Sequence, residues 1–184
     1  YGTAGEVTLE EGDIINIPTG IFRGFENIGS DYGMIMAILG GDDAGGGVIW
    51  APQVIDDAGL HGLVLGENGR LYDTKVGICL PENVNPMPPL TEEELKTFPE
   101  LTTRQLVPNH VARYWDMVAL SDCEPAKVIG ENAILKDRPG FEVEFLTRTS
   151  LGDTRQKSNR HNILMGMKGY WQVTWENGNL SLAP

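Results

Sequence analysis

The sequence predicts an all-β fold in which two strand-rich ends are joined by an irregular, partly helical connector. Two observations lead to this prediction. Apolar Ile15 and Ile17 alternate with polar Asn16, which is the period of a half-buried strand. The chain also contains 23 glycines and 11 prolines, a composition that favours many tight turns between short strands.

The patterning divides the chain into three zones: 1–50, 51–139 and 140–184. The predicted strands of the first zone are Glu6–Leu9, Asp13–Ile17, Phe22–Asn27 and Met34–Leu39. The predicted strands of the third zone are Phe141–Arg148, Ile163–Met167, Tyr170–Trp175 and Leu180–Leu182. Asn177-Gly178 is a strong two-residue turn signal and predicts a hairpin from Trp171 to Leu182.

The middle zone shows little alternation and is predicted to be a connector. Pro52 predicts the start of a short helix over Gln53–Leu60, because proline suits the first helical position. Thr91 and Glu94 have the spacing of a capping box and predict a second short helix that ends before Pro99. Residues 81–89 hold four prolines and are expected to be extended and exposed.

Composition limits the classes of function. The 184 residues carry 26 acidic and 14 basic side chains, a net charge of −12, which disfavours nucleic acid and anionic membranes as partners. No apolar run approaches the length of a membrane span. Cys79 and Cys123 lack metal-site spacing and are expected to be reduced thiols in a cytoplasmic protein, with one disulfide as the alternative.

The most informative stretch is residues 12–27, where Gly12, Pro18, Gly20 and Asn27 have a recognisable spacing. This spacing resembles the second motif of the cupin superfamily: Gly, five residues, Pro, one residue, Gly, two residues, His, three residues, Asn. Arg23 occupies the position of the metal-binding His. An arginine cannot become a metal ligand, and its donor fork suits a carboxylate instead.

A second stretch, from Gly152 to Gly169, resembles the first cupin motif. With Gly169 as the closing glycine, the family's two His positions fall on Gln156 and Ser158, and its Glu position falls on Asn162. His161 is adjacent to that Glu position, so a register slip of one residue makes it a metal ligand. The alternative is a surface histidine in a turn.

The motif order implies the architecture. Because the second motif comes first, the resemblance implies a bicupin segment: 1–50 is the C-terminal half of a first double-stranded β-helix (jelly-roll) barrel, 51–139 the connector, and 140–184 the N-terminal half of a second barrel. A single permuted barrel is the alternative. Tyr1 is not an initiator methionine and the last hairpin stops abruptly, so we expect a segment of a longer polypeptide.

The resemblance also implies a function. Bicupins include metal-dependent dioxygenases such as gentisate and quercetin dioxygenases, so it implies iron or another divalent metal and a small aromatic acid as substrate. It further implies a homo-oligomer or association with the rest of the chain. The competing hypotheses are a non-catalytic cupin that binds a small anionic or sugar-like ligand, and a structural barrel pair as in seed storage proteins.

The candidate ligand-binding residues are Arg23, Gln156, Trp171 and Trp175, and the candidate metal ligand is His161. Arg23 either anchors a carboxylate or pairs with Glu26 and solvent. The two tryptophans are four residues apart and share one face of the predicted strand, where they either stack on a ligand or pack in the core. No catalytic nucleophile–base arrangement is evident in the sequence.

Overall fold

The computed structural model describes residues 5–18, 20–39, 49–135, 140–151 and 162–182. Across these ranges, helices and strands occur in similar proportion. The helices are α1 (Pro52–Leu60), α2 (Glu92–Leu95), α3 (Thr103–His110), α4 (Tyr114–Leu120) and α5 (Arg148–Leu151), with a 3₁₀ turn at Thr74–Val76. The strands are β1 (Ile14–Ile15), β2 (Leu63–Leu65), β3 (Leu71–Asp73), β4 (Val111–Ala112), β5 (Ala126–Ile129), β6 (Val143–Phe145), β7 (Trp171–Trp175) and β8 (Gly178–Leu182).

The described strands form antiparallel pairs: β1 with β4, β2 with β3, β5 with β6, and β7 with β8. Each pair is a separate two-stranded sheet, and these described ranges contain no barrel. The all-β jelly-roll barrel, the two barrel halves and the intervening connector therefore stay predictions. In the same ranges, no helix has both the length and the apolar character needed to cross a bilayer.

Several local predictions are confirmed. Helix α1 begins at Pro52 and ends at Leu60, as the proline signal indicates. Thr91 and Glu94 form the expected capping box: Thr91 Oγ1 accepts the Glu94 N–H at 3.3 Å, and Glu94 Oε2 accepts the Thr91 N–H at 2.8 Å. The predicted C-terminal hairpin is present, with Trp175 opposite Gly178. Its two loop residues are therefore Glu176 and Asn177, one position earlier than predicted.

A buried apolar cluster lies between residues 112 and 145, mostly inside the predicted connector. Its members Met117, Val128 and Leu135 are fully buried. The cluster packs α4, β4, β5 and β6 together, and Ile14 of β1 lies against it. The apolar side chains of these short elements thus build the described core, although these segments show little of the alternation that predicts strands.

Four predicted strands are not strands in the structure. Residues 22–27, 34–39 and 163–167 have no ladder partner among the described residues, so their backbone stays irregular. Strand preference is realised only when a neighbouring strand accepts the backbone hydrogen bonds. Most of their large apolar side chains are exposed. Residues 6–9 are likewise irregular, and Glu6 exchanges backbone hydrogen bonds with the Thr103 hydroxyl instead.

Candidate functional site

Asp13 joins the N-terminal segment to the start of α4. Its side chain is only 3% exposed and forms an ion pair with Arg113, with Nη1 to Oδ2 at 2.6 Å. Oδ1 accepts the Tyr114 N–H at 2.9 Å, and Oδ2 also accepts the Glu10 N–H at 3.0 Å. Arg113 Nη1 donates a further bond to the Thr8 carbonyl at 2.9 Å. One carboxylate therefore orders the residue 8–13 loop and the first turn of α4 together.

The contacts around Asp13 also set its charge state. Burial raises the pKa of Asp13, but the hydrogen bonds from Glu10 and Tyr114 and the hydrogen-bonded Arg113 guanidinium together outweigh burial. The net effect holds the pKa of Asp13 below its ordinary value. Asp13 is consequently ionised at neutral pH and keeps its bond to Arg113 charge-assisted.

Gly12 allows the Tyr114 ring to approach this loop. Gly12 has φ +88°, the left-handed region that disfavours side chains. A Cβ at this position would meet the Tyr114 ring, with Cγ at 3.0 Å. Glycine is therefore required at position 12 for both backbone conformation and space, and this cupin-motif position has a structural role in the site.

An aromatic cluster continues from Tyr114. Its ring meets Trp115 edge-on with centroids 5.0 Å apart, and Phe145 edge-on at 5.6 Å. Lys168 Nζ lies over both rings, 4.6 Å from the Tyr114 centroid and 5.7 Å from the Trp115 centroid. These are cation–π distances, and they bring a charge from residue 168 to the start of α4.

An open cleft of about 390 Å³ lies beside the Asp13–Arg113 ion pair and the rings of Tyr114 and Trp115. Its lining residues are Thr8, Glu10, Asp13, Arg113, Tyr114 and Trp115. Trp115 is 68% exposed, so a face of its indole is available to a planar ligand. Chemically, the cleft combines two aromatic rings with the Arg113 cation and the Glu10 carboxylate beyond the paired Asp13, and Lys168 adds a second cation beside the rings.

Of the predicted site residues, the three that the structure describes, Arg23, Trp171 and Trp175, do not line this cleft. Arg23 is exposed and lies in an irregular segment, and it does not line the cleft. Gln156 and His161 lie outside the described residues. Trp171 and Trp175 both lie in β7, as predicted, and Trp175 is 54% exposed with its ring over Gly178. None of these three described residues shares a hydrogen bond or ring contact with another, so their predicted roles stay predictions.

One predicted residue does connect to the cleft through the backbone. Trp171 Nε1 donates to the Lys168 carbonyl at 2.7 Å. This bond closes the turn before β7, where Gly169 has φ +76°. Trp171 thereby helps to hold the turn from which Lys168 reaches the rings of Tyr114 and Trp115.

Sequence reasoning missed the residues that form the cleft. Arg113, Tyr114 and Trp115 are consecutive, and that run of cation and aromatics next to His110 is a visible signal. Asp13 lies beside motif residue Gly12, but its sequence context is that of an ordinary acidic residue at the end of a strand. What no local pattern reveals is that these two segments meet.

Within the described ranges, no group of three or more His, Cys, Asp or Glu side chains is close enough to hold a metal ion. These residues therefore do not fit the iron site that the cupin resemblance implies.

Comparisons with known proteins add no relative: no family model, curated protein or solved structure matches the chain. The likeness to cupins thus depends on the spacing of the motif residues alone.

Proposed function

We propose that this chain is a cupin-type protein that binds a small aromatic acid in the cleft between residues 8–13 and α4. One observation carries the proposal: the exposed Trp115 ring and the Arg113 side chain line one opening, and the Lys168 ammonium lies 5.7 Å from the centroid of that Trp115 ring. An aromatic acid needs a surface for its ring and a cation for its carboxylate, and this cleft offers both.

Arg113 and Lys168 both have N–H donors without an acceptor among the described residues. Arg113 uses only Nη1 for its bonds to Thr8 and Asp13, and its other N–H groups have no acceptor among the described residues. Lys168 Nζ faces the rings, with no carboxylate partner in those ranges. A ligand carboxylate between these side chains receives charge-assisted hydrogen bonds, while Glu10 accepts from a hydroxyl on the ligand ring.

The cupin part of the proposal is supported by the motif residues. Gly12 and Gly20 both have left-handed φ, +88° and +82°, as residues at tight turns do. Asn27 organises a third turn, because its side chain accepts the Gly29 N–H at 3.1 Å and donates to the Asp31 carbonyl at 2.8 Å. Gly12, Gly20 and Asn27 thus each lie at a turn, which supports the motif resemblance.

We expect benzoate and salicylate to bind the chain, and Lys168→Met to weaken binding about tenfold, the cost of one charge-assisted contact. Titration calorimetry measures both affinities, with benzyl alcohol as the uncharged ligand. Arg23→Ala is the matched control, because it also removes one exposed cation. The cleft is wrong as the binding site if Arg23→Ala abolishes binding while Lys168→Met leaves it unchanged. Absence of benzoate binding by the unaltered chain contradicts the whole proposal.

The dioxygenase relationship has a separate test. The proposed binding site needs no metal, so we expect the purified chain to contain no stoichiometric iron or manganese by elemental analysis. About one metal ion per chain would instead favour the enzyme and place its ligands outside the described residues, where His161 lies. His161→Ala is then the variant that should release the ion, with His61→Ala as the control.

A further inference from the structure

The chain contains two Asn-Gly dipeptides, Asn68-Gly69 and Asn177-Gly178. Asparagine followed by glycine is chemically vulnerable, because the backbone nitrogen of the next residue can attack the side-chain amide carbon. Glycine hinders this attack least, since it has no side chain and the greatest backbone freedom. The attack still requires the amide carbon to reach the nitrogen in the correct orientation.

The structure holds Asn68 in place. Its Nδ2 donates to the Tyr72 hydroxyl at 2.8 Å, and its Oδ1 accepts the Arg70 N–H at 3.1 Å. The attacking atom is also engaged, because the Gly69 N–H donates to the Gly66 carbonyl at 2.9 Å. Reaction at Asn68 therefore requires both side-chain bonds to break.

Gly178 is held in the β7–β8 ladder opposite Trp175, so the attacking nitrogen is constrained here too, but Asn177 has no restraint on its side chain. It is exposed in the loop between β7 and β8, and its side chain makes no hydrogen bond to any described residue. Its amide can rotate toward the Gly178 nitrogen without losing a partner. We propose that Asn177 is a site of spontaneous deamidation, and that the fold directs this modification to Asn177 and away from Asn68.

The reaction is balanced with water as the only co-reactant. The Gly178 nitrogen loses its proton and forms a bond to Asn177 Cγ, the bond from Cγ to Nδ2 breaks, and ammonia leaves. Water then opens the resulting cyclic imide at either carbonyl. The products are aspartate or isoaspartate at position 177, and no atom is oxidised or reduced.

The modification has a structural consequence at this position. Trp175 and Gly178 face each other across the two-residue loop, and a Cβ on Gly178 would lie 2.8 Å from the Trp175 ring. Isoaspartate adds a backbone carbon inside this tight loop, and either product adds a negative charge. We expect the β7–β8 register to loosen next to the exposed Trp175.

The test is a time course on the intact chain at mildly alkaline pH, followed by peptide mass spectrometry. We expect the peptide with Asn177 to gain the mass of amide-to-acid conversion at least about tenfold faster than the peptide with Asn68. Tyr72→Phe, which removes one restraint on Asn68, should narrow this ratio. Asn177→Gln should abolish the fast phase, because the longer side chain forms a less favourable ring.

Two results would overturn the proposal. One is equal rates at Asn68 and Asn177 in the folded chain. The other is an Asn177 that stays unchanged while a synthetic peptide of residues 171–182 deamidates under the same conditions. Both would mean that the fold does not direct the reaction to this loop.

Discussion

Asp13→Ala lowers the free energy of unfolding by about 2–4 kcal/mol, the largest loss expected from any single substitution proposed for this chain. The substitution leaves Arg113 without its carboxylate partner and the Tyr114 N–H without its acceptor. The loss of stability is limited because the Arg113 side chain is 38% exposed, so water replaces part of the lost interaction. Urea unfolding followed by circular dichroism measures the change.

Asp122→Ala is the matched control. Asp122 is exposed and makes no hydrogen bond to a described residue, so its replacement should change stability by less than about 0.5 kcal/mol. A double-mutant cycle with Arg113→Met isolates the pair itself. Equal losses for Asp13→Ala and Asp122→Ala would mean that the Asp13 contacts do not stabilise the fold.

Asp13 also makes the free energy of unfolding depend on pH. The folded-state pKa of Asp13 lies below its ordinary value, so Asp13 stabilises the fold above the unfolded-state pKa of about 3.9. That contribution is lost as the pH falls through the folded-state pKa. We therefore expect the unaltered chain to lose stability more steeply than Asp13→Asn between about pH 5 and the acid limit. The same dependence of the free energy of unfolding on pH in both proteins would contradict this assignment.

Gly12→Ala is expected to lower the free energy of unfolding by about 3 kcal/mol. A side chain at φ +88° costs about 1–2 kcal/mol in backbone strain. The new Cβ also meets the Tyr114 ring, which must move away from Phe145 and Lys168 to make room. Near-ultraviolet circular dichroism reports that ring movement, and urea unfolding reports the stability.

Gly20→Ala separates the two causes. Gly20 has a similar φ of +82°, but a Cβ there meets nothing within 4 Å. It should therefore cost only the strain, about 1 kcal/mol, and leave the aromatic signal unchanged. Equal effects of the two substitutions would show that the Tyr114 ring does not press on the residue 12 backbone.

Elements whose formation depends on a few neighbouring residues could be predicted from the sequence. Pro52 and the Thr91–Glu94 capping box predicted α1 and α2 because a helix start depends on the backbone groups of one turn. The hairpin of β7 and β8 was predicted from its loop dipeptide, and only its loop residues shifted. In each of these cases the determining interactions lie within about five residues along the chain.

The candidate cleft was not readable in this way. Its lining residues come from positions 8–13 and 113–115, Lys168 lies over the Tyr114 ring, and no local pattern predicts that these positions meet. Arg23 was singled out because it replaces a motif histidine, but a motif fixes spacing and not which side chains converge. Strands without a partner, such as residues 34–39, show the same limit: their composition favours a strand, and pairing decides whether one forms.

The ion pair of Asp13 and Arg113 also fixes an order of events during synthesis and folding, because 100 residues separate its partners. Closing a flexible loop of that length costs about 4 kcal/mol of chain entropy. Met117, Val128 and Leu135 share one buried cluster and are close in sequence, so their segments come together at far smaller entropic cost. Residues 8–13 therefore dock late, because their partner Arg113 is synthesised about 100 residues after them. Mutations at Asp13 should accordingly accelerate unfolding while leaving the refolding rate nearly unchanged.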